Sequence, residues 1–226
     1  MLIVVRPEPG CAATLAAARA AGLEAQGFPL FAIEQRPWAV PDPAGFDGLL
    51  VGSANVFRKG GAGLEGLRHL PVHCVGETTA EAARAAGFAV AGCGRGGLQA
   101  VLDTIPAGTR LLRLAGEERV DLLPPEGVRM AERVVYASKP QAMPEALVQE
   151  LQNAPVVLLH SADAARHFAA ECDRLGLPRE TIALAALGPR IAAAAGRGWQ
   201  ACESAESPND TALLALAARM CQERAR

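Results

Sequence analysis

The feature that most narrows the fold of this chain is an internal repeat that does not start where the chain starts. The segment from Gly48 to Tyr136 resembles the segment from Ala154 to the C-terminus followed by the first 33 residues, and such self-similarity marks a duplicated structural unit. GLLVGSANVFR at 48–58 aligns with VVLLHSADAARHF at 156–168, and HCVGETTAEAARAAGFAV at 73–90 aligns with LAALGPRIAAAAGRGWQA at 184–201. RLLRLAGEERVDLLPPEGVRMAERVVY at 110–136 then aligns with LIVVRPEPGCAATLAAARAAGLEAQGFPLF at 2–31. The match is cyclic. One copy is therefore built from both ends of the chain, as a discontinuous domain of residues 1–34 plus 141–226, and the other is an inserted domain of residues 35–140.

Within each copy, short apolar runs that end in Gly, Ser or Pro alternate with Ala-rich stretches of helical period. That alternation is the signature of an α/β fold with parallel sheets flanked by helices. Strands are expected at Leu2–Val5, Leu49–Val51, Val72–Val75, Arg110–Leu114, Val156–Leu159 and Ala183–Leu187. Helices are expected at Ala12–Ala21, Thr79–Ala86, Ala162–Leu175, Arg190–Ala195 and Thr211–Arg224, with a looser one starting at Val120–Leu123. The chain crosses between the copies at Ala32–Trp38 and Val134–Pro140. Proline ends both crossings, which suits a two-stranded connector better than a helix. A cleft between two such domains is a usual place for a ligand, and Tyr136, the only tyrosine, lies on a crossing.

Composition excludes several classes of function. With 22 basic against 24 acidic residues the net charge is −2, so no basic field draws the chain to nucleic acid or to an anionic membrane. Arginine nonetheless outnumbers lysine 20 to 2, and its fork of donors suits carboxylates. GC-rich codon usage explains the same bias together with 47 alanines. The six cysteines, Cys11, Cys74, Cys93, Cys172, Cys202 and Cys221, contain no C-x-x-C pair, which fits neither a zinc site nor a redox motif and suggests a reducing compartment. The apolar start Met1–Val5 meets Arg6-Pro7 too soon for a signal peptide, and no run reaches membrane-spanning length. These readings point to a soluble, cytoplasmic protein, and a monomer is expected.

Six expected strand-to-helix turns carry small or polar residues: Arg6–Gly10, Gly52–Asn55, Gly76–Thr79, Gly116–Arg119, Ser161–Asp163 and Gly188–Arg190. Helix N-termini offer unpaired N–H groups and partial positive charge, so a row of them at one sheet edge suits carboxylate or phosphate. Ser53, Thr78 and Ser161 also suit ordinary N-caps, and Thr78-x-x-Glu81 reads as a capping box. Gly92-Cys93-Gly94-Arg95-Gly96-Gly97 is a literal G-x-G-x-x-G and suggests a dinucleotide site. Its repeat equivalent, Cys202–Thr211, contains no glycine, which argues against a pyrophosphate clamp. His69, His73, His160 and His167 form no metal-ligand spacing, and no nucleophile elbow is present. The residues alone thus reach a two-domain, cofactor-free, anion-binding cleft without reaching a reaction.

The ordered set Arg6-Pro7, VGSANVF at 51–57, VGETTAEAARAAGF at 75–88, RLAGEERVDLLP at 113–124, VVY at 134–136, ALGPRIAAAAGRGW at 186–199 and AESPNDTALL at 205–214 resembles the uroporphyrinogen-III synthase family over essentially the whole chain. The resemblance implies two flavodoxin-like domains joined by a two-stranded connector. It also implies a cytosolic, cofactor-free lyase of tetrapyrrole (haem) biosynthesis that cyclises hydroxymethylbilane with loss of water and inverts ring D through a spiro intermediate. The substrate carries eight carboxylates, for which Arg6, Ser53, Asn55, Thr78, Thr79, Gly116, Arg119, Ser161 and Arg190 are the expected cradle. Tyr136 matches the family tyrosine that assists departure of the ring A hydroxyl. Transient contact with hydroxymethylbilane synthase is a further implication. The chain departs from the family at Val5, where Thr is frequent, and at Arg190-Ile191, where Thr-Thr is common. The second reading is a non-catalytic two-domain clamp for a small anionic ligand. The third is a nucleotide-dependent α/β enzyme working through Gly92–Gly97.

Overall fold

The computed structural model describes residues 1–224. The chain divides into two compact units, residues 1–32 with the segment from Lys139 onward, and residues 33–138. In chain order the elements are β1 (Leu2–Val4), α1 (Gly10–Ala20), β2 (Ala25–Gly27), β3 (Phe31–Gln35), β4 (Gly48–Val51), α2 (Asn55–Lys59), β5 (Val72–Val75) and α3 (Glu77–Ala85). They continue with β6 (Val90–Gly94), α4 (Leu98–Leu102), β7 (Arg110–Gly116), β8 (Arg129–Pro140), α5 (Glu145–Leu151) and β9 (Val156–Leu159). The last are α6 (Ala162–Leu175), β10 (Ala183–Ala186), α7 (Pro189–Ala194), β11 (Ala201–Ser204) and α8 (Asp210–Arg224).

In the first unit, a five-stranded sheet runs in the order β11-β10-β9-β1-β2, and its neighbouring strands pair in parallel. Strands inside such a sheet are buried on both faces, which is why LIV at 2–4 and VVLL at 156–159 are continuous apolar runs rather than alternating ones. Successive side chains leave opposite faces. Ile3, Val157 and Leu184 pack with Leu147 of α5 and Phe168 of α6, while Leu2, Val156 and Ala183 pack with Ala18 of α1 and Ala217 of α8.

The second unit holds a six-stranded sheet in the order β3-β8-β7-β4-β5-β6. Its β4–β5, β4–β7, β5–β6 and β7–β8 pairings are parallel. Leu49, Val72 and Leu112 face Val56 of α2 and Ala80 of α3, and Leu50 and Leu111 face Val101 and Leu102 of α4. Matched through the sequence repeat, β9, β10, β11, β1 and β2 correspond to β4, β5, β6, β7 and β8. The two sheet orders then agree strand for strand, with β3 added at the β8 edge.

Two local expectations are corrected. No helix forms at Val120–Leu123, because residues 117–128 are a loop that Pro124-Pro125 would terminate in any case. Leu122 alone of that run is buried, and the Leu123 backbone is taken by the Gln99 side chain, which accepts from its N–H and donates to its carbonyl. The turn at Gly116–Arg119 is consequently no helix N-terminus. At α3 the capping box does not form: the helix begins two residues early, Gly76 is the N-cap with φ 78°, and no side chain caps it. Such a backbone angle favours glycine, which moves Thr78 into the first turn.

Candidate active site

In the second unit, the carboxyl ends of the parallel strands surround a cavity of about 290 Å³. Ligands gather at this edge in open α/β sheets, because loops rather than side-chain layers close it. Gly52 and Ser53 follow β4, Val75 ends β5, Leu98 opens α4, and Arg113 to Gly116 finish β7. Glu118, Arg119 and Val120 of the following loop and Tyr136 of β8 complete the wall.

Tyr136 is set by a change of register. Ala115 pairs with Val134 but Gly116 pairs with Tyr136, so β8 carries one extra residue at Val135, and that residue is fully buried in the core. The Glu117 N–H donates to the Tyr136 carbonyl at 2.9 Å, which fixes the strand beyond the shift. The phenol ring lies directly on Gly116. A Cβ there would stand 2.7 Å from Cζ and 2.9 Å from Oη, so only glycine leaves room for the ring. The Tyr136 ring packs on the core around Leu114, while its hydroxyl makes no hydrogen bond to the described residues.

Two guanidinium groups share this wall. Arg113 is buried at 4% exposure, which pushes its proton affinity down, and the Glu132 carboxylate at 2.9 Å opposes that effect. Its Nη2 donates to the Val120 carbonyl at 2.8 Å, while Nε is buried without a partner. Arg119 pairs with the other oxygen of Glu132 and donates to the Glu117 carbonyl at 2.7 Å. Ser53 Oγ accepts from the Asn55 N–H at 3.2 Å and so shapes the turn after β4.

Of the expected site residues, Ser53, Gly116, Arg119 and Tyr136 therefore meet at one cavity. Asn55 is outside it, with Oδ1 accepting from Arg58. Thr79 is buried in the first turn of α3, and Thr78 lines a separate recess with Phe57, Arg58 and Glu81.

In the first unit, Ser161 and Arg190 line a recess of about 360 Å³ together with Leu187, Gly188, Ile191 and Pro208. Ser161 caps α6 by accepting from the Ala164 N–H at 3.1 Å. Arg190 stands exposed in the first turn of α7, without a hydrogen bond or ion pair to the described residues. Arg6 is elsewhere: its Nη1 donates to Thr14 Oγ1 at 3.2 Å and to both Asp210 oxygens at 3.2 and 3.3 Å. Its side chain lies over Gly10, where a Cβ would come within 2.5 Å of Nε. His160 sits beside this group, 3.5 Å from Asp210 and with neither ring nitrogen hydrogen-bonded. Burial, then the Arg6 charge, lowers its pKa to about 4, so the ring is neutral near pH 7.

The family model described as HEM4, uroporphyrinogen-III synthase HemD, matches residues 12–215. The chain belongs to that family. Comparison with curated protein sequences gives no match. Among solved structures, the uroporphyrinogen-III synthetase from Helicobacter pylori is similar with a TM-score of 0.65 at 18% identity, over 97% of this chain and 98% of that one. A mutant uroporphyrinogen III synthase from Thermus thermophilus aligns with a TM-score of 0.53 at 19% identity, over 99% of both chains. At those identities the likeness is one of fold. Uroporphyrinogen-III synthases are cyclising lyases of tetrapyrrole biosynthesis, and membership of the family gives the chain that activity.

For a uroporphyrinogen-III synthase, the cavity wall and the carboxylate paired to it add two residues that the linear sequence did not single out. Arg113 sits inside an apolar strand run and Glu132 lies 19 positions later, and only their register pairing across β7 and β8 brings them together. The signal available in the sequence was the charge itself, since a lone arginine in a fully buried strand needs a partner.

Proposed function

We propose that the chain converts linear hydroxymethylbilane to uroporphyrinogen III with loss of water and without a cofactor, inverting ring D on the way. The observation that carries this reading is the Tyr136 phenol, packed on Gly116 at a cavity wall with its hydroxyl unengaged and two guanidinium groups nearby. Tyr136 passes its phenolic proton to the departing ring A hydroxyl, which leaves as water and gives a protonated azafulvene, and the proton that ring D loses on final rearomatisation restores the phenol. The substituted carbon of ring D attacks that electrophile to form a spiro intermediate. Fragmentation and reclosure at the other ring D carbon follow. The bilane also closes unaided to the uninverted isomer, so the protein's contribution is to hold the geometry that favours the spiro route.

The carboxylates of the bilane meet Arg119, Ser53 and the backbone N–H groups at Gly116 in this cavity, and Ser161 and Arg190 in the first unit. Arg6, Asn55, Thr78 and Thr79 belong to the same strand-end turns. Domains of residues 1–34 with 141–226 and of residues 35–140, both flavodoxin-like and joined by a two-stranded connector, are part of the proposal. Support comes from the order of β1, β2, β9, β10 and β11, which is 2-1-3-4-5 in chain order, and from β3 and β8 as sheet neighbours. All six cysteines are free thiols, which suits the cytoplasm.

Incubation of the purified chain with freshly made hydroxymethylbilane, followed by resolution of the isomers, decides the reading. Uroporphyrinogen III as the main product is expected. Exclusive formation of the type I isomer would overturn it.

A further inference from the structure

Arg113 and Glu132 are register partners on adjacent parallel strands, so their side chains leave the sheet on the same face. The Glu132 carboxylate gives one oxygen to each arginine, Oε2 to Arg113 and Oε1 to Arg119. Both arginines line the Tyr136 cavity and Glu132 does not, which puts the carboxylate behind the pair. Two guanidinium groups repel one another, and a shared carboxylate is what keeps them adjacent. The remaining bonds fasten the loop: Arg113 to the Val120 carbonyl at 2.8 Å, Arg119 to the Glu117 carbonyl at 2.7 Å. Glu117 in turn donates its N–H to the Tyr136 carbonyl. Two cations minus one anion leave the Arg113–Arg119–Glu132 triad with one net positive charge, the Glu118 carboxylate of the same wall standing outside it, and the buried Arg113 Nε still lacks an acceptor.

We propose that Glu132 is a positioning residue that holds the Arg113 and Arg119 guanidinium groups together at the cavity wall as a receptor for a carboxylate of the substrate. The role rests on the proposed function for the identity of that ligand. It predicts that Glu132 acts on binding only through Arg119 and Arg113.

The test is a double-mutant cycle on the full chain, read as the Kd for uroporphyrin, a non-reacting octacarboxylate, by fluorescence titration at fixed salt, with thermal melting as the fold control. Arg119→Gln and Glu132→Gln each weaken binding about tenfold, and the double variant loses less than the roughly hundredfold product of the two, because Glu132 keeps only its action through Arg113 once Arg119 is gone. If Glu132→Gln does not fold, Glu132→Asp keeps the counter-charge for Arg113 while shortening the reach to Arg119, and the same non-additivity is expected at a smaller loss. Unchanged affinity, fully additive losses or tighter binding in the Glu132 variants overturn the role, the last because Glu132 would then compete with the ligand. Absence of uroporphyrin binding by the unaltered chain overturns it as well. The bilane isomer assay is scored separately: type I product with an intact cycle removes the proposed reaction while the receptor stands.

Discussion

At the scale of single residues, the pairing of Tyr136 with Gly116 couples a packing constraint to a chemical one. The ring occupies the space a Cβ would need, so it is held in place by its faces, and the hydroxyl is spared from any structural bond. Tyr136→Phe therefore removes only the polar handle. Turnover of the bilane should fall by about 10²–10⁴-fold, the usual contribution of a positioned proton donor, with KM little changed. The melting temperature should stay within what a change of about 0.5 kcal/mol produces. Equal kcat in the two proteins, measured on fresh substrate, would remove the phenol from the chemistry. Tyr136 was legible in the sequence because it is the only tyrosine and sits in a family motif. Arg113 was not, because in a linear reading it merely interrupts an apolar run. The cradle arginines also differ in a way the sequence hides: Arg6 and Arg119 are held in place by the carboxylates of Asp210 and Glu132, whereas Arg190 has no such partner among the described residues.

Among the elements, the strands were read correctly wherever both faces are buried, because continuous apolar runs leave no other explanation. The helix expected at Val120–Leu123 failed because three apolar residues in four positions imitate helical spacing, while only Leu122 is buried. The capping box at Thr78 failed because Gly76 took the cap with a backbone angle that outranked the side-chain pattern. The G-x-G-x-x-G stretch shows how glycines mislead when their causes differ. Gly96 and Gly97 have φ of 88° and 118°, a region that favours glycine on backbone grounds alone. Gly94 instead makes room for α4, since a Cβ there would lie 2.4 Å from Val101 Cγ2. Overfilling a packed contact of this kind costs about 1–3 kcal/mol, so Gly94→Ala should lower the unfolding free energy by that amount. Adding Val101→Ala to Gly94→Ala should recover stability relative to the sum of the two single changes, as measured by urea unfolding. Strict additivity would show that the contact is not what requires glycine at position 94.

For the whole molecule, the cyclic repeat proved the most informative line of the sequence, because it foretold two sheets with the same strand order. What it could not foretell was how charge is distributed through each half. Four groups with depressed pKa values make acid stability a property of both units. Burial lowers His73, and burial reinforced by Arg6 lowers His160 from 6.5 to about 4. The Arg110 side chain holds Asp47 down from 3.8 to about 2, and the Arg174 side chain, with the Met143 N–H, holds Glu171 down from 4.5 to about 2. In each case the unfolded chain binds the proton more readily, so the stabilisation is complete above the unfolded pKa and is lost as pH falls towards the folded one. His160 acts first, between about pH 6.5 and 4, with His73 adding to the loss as pH falls below 6.5, and the carboxylates follow between about 4.5 and 2. The unfolding free energy should accordingly decline in two overlapping stages on acidification. His160→Gln together with His73→Gln should flatten the upper stage and leave the lower one. Urea midpoints at half-unit pH steps measure this, and an upper stage that persists undiminished in the double variant would assign the loss to other groups.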